Sequence, residues 1–441
     1  MSINPGRLKL ELLCLGARIE PGCDPEGDTR PVKRTRGGLG SGLDAILPHG
    51  VWVNIPVKEN FARKSPFSIR KKSGRYSLWS QGRLVCPIVL PQMPAWYEYL
   101  TSSGLPMDRV AVMQGTYLAA YPSGPCRFWE SSPPKNCRFC SVGLCLGETE
   151  SAQKSVEDVV ETARAARKHE GISFVHFNTG FAENDGGLEN VFPYVEAVKR
   201  RTGLLVGVQC PPALDLAWYD RLKKAGADHI SLCFEIFDPR QFPLVCPGKA
   251  ETFGRLAGQA DDSFLRRGRD LAVKHLKGLS PHPGQLMFYR AILYCRKLWG
   301  KGPVAGEIIA GLEPVEMSLA AVDFLAECGA VATVCVFRPS TGTMLENAPS
   351  PDPLLIAPVF ARHYEVCVEN GLPIGIAPNI RTAMVHTQEE GRWLSEGRGW
   401  WRESAFRAKN SLLSLGFRAF FKMKMAFHGL VALIIFLNED S

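Results

Sequence analysis

Cys126, Cys137 and Cys140 are the residues of this chain whose type and spacing most directly promise chemistry. Ten residues separate the first from the second, the last two form the pair Cys137-Arg-Phe-Cys140, and Cys145 follows five positions on. A Cys-x-x-Cys pair brings two thiolates to one metal centre from a single turn of backbone. A structural zinc ion takes four protein ligands, whereas three thiolates on a [4Fe–4S] cluster leave one iron free for a further ligand. Cys126 is preferred as the third ligand because it stands just after a predicted strand and completes a pair preceded by the aromatic Phe139. Two rival sets remain open: Cys137, Cys140 and Cys145, or all four cysteines around zinc. His176, His229, His282 and His363 are scattered, with no His-x-x-His spacing, and no Gly-x-Ser-x-Gly elbow occurs.

Such ligands need a scaffold that presents them together. From about residue 108, short apolar runs alternate with helical patterns. Strands are predicted over 110–113, 116–120, 172–177, 204–208, 229–234, 286–293, 304–310 and 332–337. Helices are predicted over 155–168, 188–200, 215–225, 264–276, 315–328 and 353–370, with an irregular insertion between 234 and 264. Apolar strands separated by helices of ten or more residues read as parallel strands buried on both faces. About six such units predict an α/β fold, a partial (β/α)6 TIM-type barrel over 108–375. Residues 1–107 form an N-terminal extension with small β elements over 51–57 and 76–87. The glycine-rich stretch 36–44 lacks the Lys-Ser/Thr ending of a phosphate loop and reads as a plain loop. Residues 376–441 end in a basic amphipathic helical tail. Barrels of this kind bind ligands where the strands end, and the cysteine segment follows the strand over 116–120.

Three ligands after the first parallel strand, with Cys137-Arg-Phe-Cys140 carrying the aromatic, resemble the radical S-adenosylmethionine (radical SAM) superfamily over roughly 108–345. The resemblance implies a [4Fe–4S] cluster on Cys126, Cys137 and Cys140. It further implies S-adenosylmethionine on the open iron, and reductive cleavage to a 5′-deoxyadenosyl radical that abstracts hydrogen from substrate. Most members space the first two cysteines by three residues, so the ten here are a departure that has to loop out. The later segments resemble the biotin synthase and lipoyl synthase branch. Asn178-Thr179-Gly180 stands where the family grips the methionine amino group, but lacks the family's Glu, for which Glu183 is the nearest stand-in. Glu235 stands where a polar residue holds the ribose or methionine end. Ile309 to Gly311 stands where backbone packs on adenine, and Arg338 where a cation faces the substrate. The stretch Pro247-Gly-Lys249 belongs to the same resemblance without a role. No second Cys-x-x-Cys follows Cys140, so one cluster is expected.

The remaining composition narrows the partners. With 45% hydrophobic residues, 441 residues suffice for a full-sized core. The net charge of +8 resides in residues 1–85, where 15 Lys and Arg meet 7 Asp and Glu. No aromatic-rich RNA motif accompanies that charge, which reads as a solvated face, and nucleic acid is not an expected partner. The N-terminus carries no secretory signal, and fourteen cysteines suit a reducing cytoplasm. Expected partners are a small-molecule or carrier-bound substrate and an electron donor such as a flavodoxin or ferredoxin. The tail, with an apolar end over 429–437 too short to span a bilayer, predicts a helix packed on the barrel or one in peripheral contact with a membrane. Two functional alternatives stand beside the radical enzyme: a non-catalytic zinc- or cluster-stabilised binding protein, and a membrane-surface radical SAM enzyme acting on a lipid.

Overall fold

The computed structural model describes residues 3–35, 40–122, 124–182, 185–374, 377, 380–396 and 400–439. Ahead of the barrel, α1 (Pro5–Leu15) lies against a hairpin of β1 (Gly40–Leu47) and β2 (Val51–Pro56), while β3 (Phe67–Lys72), β4 (Arg75–Ser80) and β5 (Arg83–Ile88) form a second antiparallel sheet. The extension is therefore more regular than its glycine content suggests. Part of the expected loop, residues 40–44, belongs to the strand Gly40–Leu47, and the 36–39 portion lies outside the described residues. A glycine suits Gly42 because a Cβ there would sit 2.0 Å from the Asn54 amide oxygen across the hairpin.

The barrel strands are β6 (Val112–Gln114), β7 (Tyr117–Ala120), β8 (Phe174–Asn178), β9 (Leu205–Cys210), β10 (His229–Glu235), β11 (Val304–Ala310) and β12 (Val331–Val336). They form one sheet in sequential order, parallel throughout except for the β6–β7 hairpin. Six parallel strands wound part-way round, with helices outside, make the partial (β/α)6 barrel that the alternation predicts. The crossover helices carry their own stop signals. Helix α2 (Val156–Glu170) opens on a capping box between Ser155 and Asp158 and closes on left-handed Gly171. Helices α3 (Leu188–Thr202) and α4 (Ala217–Ala225) likewise end on the left-handed glycines Gly203 and Gly226.

Two expectations fail between β10 and β11. The stretch read as an irregular insertion contains α5 (Pro247–Ala257), followed by α6 (Ser263–His275), and the strand expected over 286–293 lies inside α7 (Pro283–Trp299). Helix α7 opens on a capping box of His282 and Gln285 with Pro283 in its first turn. It packs between the sheet and helices α5 and α6, so nearly every side is apolar. An all-apolar run of eight has no periodicity to distinguish a covered helix from a buried strand.

Helices α8 (Val315–Glu327) and α9 (Pro353–Asn370) complete the barrel, and α10 (Trp400–Glu439) follows. The open seam between β12 and β6 is bridged by the extension and by residues 381–383. The Asn54 amide donates to the Ala383 carbonyl and the Thr116 amide to that of Arg381, both at 2.9 Å. Among the described residues, no helix is long and apolar enough to cross a membrane.

Candidate radical centre

The C-terminal ends of β7, β8, β9 and β10 meet around one cavity of about 100 Å³, lined by Cys126, Cys137, Cys140, Asn178, Thr179, Gly180, Gln209, Glu235 and Lys249 together with aromatic side chains. It is smaller than the cavity of about 400 Å³ between β2 and residues 377–393. Position at the strand ends and three thiols, rather than size, single it out.

The ten-residue spacer does not hang free. Directly after Cys126 the chain makes a helical turn, Arg127–Glu130, in which the Trp129 amide donates to the Cys126 carbonyl at 2.8 Å. The Lys135 amide then returns to the Phe128 carbonyl at 2.9 Å, closing the excursion on itself. Its far end is tied to the start of α5, with the Gly248 amide donating to the Lys135 carbonyl at 3.0 Å and Lys135 pairing with Glu251 at 2.6 Å. The Arg138 amide, between Cys137 and Cys140, donates to the Val245 carbonyl at 2.9 Å. A long first gap is thus compatible with three cysteines on one wall.

Gly180 lets the second strand end meet the first. A Cβ there would lie 2.6 Å from the Cys126 Cβ and 2.5 Å from the Tyr121 hydroxyl. The Arg127 amide donates to the Phe181 carbonyl at 2.8 Å, and Phe128 and Phe181 stack with centroids 4.6 Å apart, which fixes this junction from both sides. Thr179 uses its hydroxyl on the Gly180 carbonyl at 3.0 Å.

All fourteen cysteines are free thiols. Burial pushes Cys126 up to about 11 and Cys140 up to about 12, so both thiols are protonated at neutral pH. Cys137 is lowered, chiefly by a hydrogen bond with Cys246 and further by the Lys249 ammonium, against its own burial. Thiols held neutral until a metal displaces their protons suit ligands better than free nucleophiles. Among the described residues, no three His, Cys, Asp or Glu side chains converge as a single metal ion requires. Thiolates on one tetrahedral zinc would lie about 3.8 Å apart, whereas a cluster takes one thiolate per iron and spreads them. Three thiols on one cavity, one for each of three irons, are the donors such a cluster takes, so the donor set fits a cluster in kind.

Opposite the thiols, Glu235 ends β10 with φ +69°, in the left-handed region, at a bulge where the β10–β11 register slips. Such a conformation is costly for a side chain other than glycine and persists when its surroundings over-determine it. The bulge aims the carboxylate into the cavity, where Lys249 of α5 donates to Glu235 Oε1 at 3.0 Å and to the Cys233 carbonyl at 2.5 Å. Both side chains of the pair are buried. Beneath them runs a polar chain across the barrel floor. Asn178 donates to Gln209, Gln209 donates to Glu307, and the Ser231 hydroxyl donates to the other Glu307 oxygen at 2.8 Å. Burial, then the nearby Glu235 charge, raises Glu307 to about 8.

The sequence-predicted residues separate into two groups. Asn178, Thr179, Gly180 and Glu235 line the cavity with the three cysteines. Ile309, Gly311 and Arg338 do not. Ile309 is buried at the end of β11, and Gly311 (φ +99°) turns the chain against Pro351, whose Cγ would lie 2.4 Å from an added Cβ. Arg338, fully buried, points away into the extension, where its guanidinium donates to the Asn54 side-chain and backbone oxygens at 3.0 Å each. Cys145 is buried outside the cavity on the helical turn Val142–Cys145. Glu183 lies outside the described residues. Sequence reasoning missed Cys246, Gln209 and Glu307 and left Lys249 without a role. Gln209 and Glu307 were single polar residues inside apolar strands, and that was their available signal.

No protein-family model matches the chain, and no curated protein does. Among solved structures, it is similar to methylornithine synthase PylB, with 17% identity, a TM-score of 0.42 and coverage of 62% of this chain and 69% of that one. A second is HydG, a maturase of the [FeFe]-hydrogenase, at 14% identity and a TM-score of 0.39, covering 63% of this chain and 55% of HydG. A third is coproporphyrinogen III oxidase HemN from Escherichia coli, described as a radical SAM enzyme, at 12% identity and a TM-score of 0.29, covering 45% of this chain and 41% of that one. This chain spans little more than half of HydG and less than half of HemN. At such scores the functional reading rests on the residues of the cavity.

Proposed function

We propose that the chain is a radical SAM enzyme whose cluster is held by Cys126, Cys137 and Cys140. One observation carries the reading: three thiols from one segment face Asn178–Gly180 and Glu235 across a single cavity at the C-terminal ends of parallel strands. When bound, the cluster would supply the electron that cleaves S-adenosylmethionine and so begins hydrogen abstraction from an unactivated C–H bond. The chain's own residues do the positioning. The backbone of 178–180 offers polar edges to the amino acid end of the cofactor, and Glu235, oriented by Lys249, offers an acceptor to its ammonium or ribose hydroxyls. Phe128, Phe139 and Phe181 exclude water from the thiol side. Ile309 to Gly311 are proposed to approach adenine by backbone, and Arg338 to act through the extension that closes the seam rather than from within the cavity.

The substrate is proposed to be a small molecule or a carrier-bound group transformed in biosynthesis, with electrons arriving from a flavodoxin or ferredoxin. Free thiols and an oxygen-sensitive cluster suit the reducing cytoplasm.

The test is anaerobic reconstitution with iron and sulfide, iron counting, and a search for 5′-deoxyadenosine after dithionite and S-adenosylmethionine are added. About four irons per chain, lost in Cys126→Ala, together with deoxyadenosine, are expected. Zinc in place of iron, or a fully loaded cluster that yields no deoxyadenosine, would return the chain to the binding-protein reading.

A further inference from the structure

A cavity of about 350 Å³ lies between α10 and the segment 381–392, and four arginines line it: Arg381, Arg392, Arg407 and Arg418. Asn410 and the exposed Leu415 complete the part that matters here, and Glu389 is the one carboxylate on its wall. Among the described residues, none of the four guanidiniums is ion-paired. The contrast with Arg362 on α9 is clear, since Arg362 is held by Asp323 at 2.8 Å and Glu369 at 2.7 Å. Four like charges gathered with one acid focus a positive potential into a concave space, and guanidinium forks match the oxygens of a phosphate.

The helix beside this cavity supplies the second observation. Phe406, Asn410 and Phe421 are buried, so α10 is docked by one face. Its outward face is largely apolar: Trp401, Leu412 and Met423 are 72%, 70% and 68% exposed, with Phe420 and Phe427 beside them and the exposed Arg402 and Lys409 in line with those two phenylalanines. These three recur every eleven residues, about three helical turns, and therefore share a face. Arg407 and Arg418 have the same spacing, so they line up with each other, a little over a third of a turn round from that row and on the side of the cavity. From Ser404 to Asn438 the sequence contains Arg407, Lys409, Arg418, Lys422 and Lys424 and no acid. An apolar face bordered by cations matches a lipid interface, with apolar side chains in the acyl boundary and cations at anionic headgroups. A second copy of the chain fits badly, because a two-fold contact would set these cations against their own equivalents.

We propose that the four-arginine cavity is a binding site for a phosphate-type anion, and that its occupant is the headgroup of an anionic phospholipid on whose surface α10 lies flat. The placement is independent of the radical chemistry and holds whether or not a cluster is bound. It also reconciles the two sequence expectations for the tail: one face packs on the barrel and the other meets lipid.

The full chain would be sedimented with vesicles of phosphatidylcholine alone and of phosphatidylcholine with phosphatidylglycerol, and inorganic phosphate binding would be measured separately. Sedimentation with the anionic vesicles only, weakened at least about tenfold by Arg407→Gln with Arg418→Gln and by high salt, is expected. Met423→Ser with Phe427→Ser should weaken sedimentation equally while leaving phosphate binding intact. These side chains are exposed, and circular dichroism would verify that both variants fold. No sedimentation, or sedimentation indifferent to the arginines, overturns the proposal. Arginine-dependent phosphate binding without sedimentation overturns the lipid and assigns a soluble phosphate ester. A vesicle-independent dimer lost in Met423→Ser with Phe427→Ser overturns it in favour of a second copy.

Discussion

The Lys249 ammonium lies 3.0 Å from the Glu235 carboxylate, and each belongs to a different element of the barrel rim: Glu235 to the bulged end of β10, Lys249 to the first turn of α5. The Glu235 charge and the nearby thiols raise Lys249 above its ordinary range even though burial pulls the other way. The pair fixes a strained strand end and at the same time sets the charge beside Cys137.

Removing one partner exposes that dependence. Lys249→Met leaves a buried carboxylate and the Cys233 carbonyl without their donor, and should destabilise the protein by about 3–5 kcal/mol. Lys249→Met combined with Glu235→Gln should recover much of the loss, because no uncompensated charge remains. Urea unfolding of the parent and the two variants at neutral pH measures both effects. A single variant as stable as the parent would show that the ion pair does not hold the rim.

Glu307 gives the fold a pH dependence of known sign. Its folded pKa is about 8 against an ordinary 4.5, so between those values the folded chain keeps a proton that the unfolded chain has lost. Stability contributed by this site therefore falls as pH rises from about 4.5 to about 8, and stays low above it. Glu307→Gln removes the dependence. At pH 5 the variant should be less stable by about 1 kcal/mol, through an imperfect hydrogen bond to Gln209 or Ser231. At pH 9 it should be more stable, on the order of 3–5 kcal/mol. Urea midpoints at the two pH values read the reversal, and a variant whose offset from the parent is the same at both would refute it.

What was legible in the sequence follows physical rules. Strand–helix alternation over β7 to β12 was readable because each helix announces its ends, as Ser155 with Asp158 and Gly171 do for α2. Helix α7 was not, since burial on all sides erased its period. Local spacing pointed to the cysteines and the end of an apolar run to Glu235, and these residues line one cavity. Lys249, Cys246 and Glu307 were not readable, because what gives them a role is long-range packing: α5 folding back over β10, and β9, β10 and β11 aligning their inward residues in one plane. Arg338 shows the reverse case. Its place after β12 suggested a cavity role, but the seam beside β12 is closed by the extension, and Asn54 occupies the guanidinium.

Cys145 distinguishes the ligand sets. It is wholly buried outside the cavity, so Cys145→Ala should retain the iron of the parent after reconstitution, while Cys126→Ala, Cys137→Ala and Cys140→Ala should each lose most of it. Cys246 is the informative intermediate. Its hydrogen bond is the chief cause that lowers the Cys137 thiol, so Cys246→Ala should load iron more slowly but to the same final count. Iron-to-protein ratios over time, with the visible absorbance of the cluster, report all five variants. Iron lost in Cys145→Ala and kept in Cys126→Ala would transfer the site to the rival triad.

Gly180 tests the geometry most sharply, because the change is a single methyl group. An alanine there would place its Cβ 2.5 Å from the Tyr121 hydroxyl, 2.6 Å from the Cys126 Cβ and 2.9 Å from the Cys126 Cα, and the two Cys126 atoms, at or next to the backbone, cannot swing aside. Relief requires Cys126 and the turn Arg127–Glu130 to move away from the end of β8, carrying one thiol off the wall it shares with Cys137 and Cys140. Overpacking of this kind costs about 1–3 kcal/mol. Gly180→Ala should therefore fold with a lowered urea midpoint and bind well under half the iron of the parent. Gly171→Ala, at a left-handed helix end remote from the cavity, supplies the control, since it should lower stability through its φ of +63° without changing the iron count. Full iron loading in Gly180→Ala would mean that the first ligand is not seated against β8.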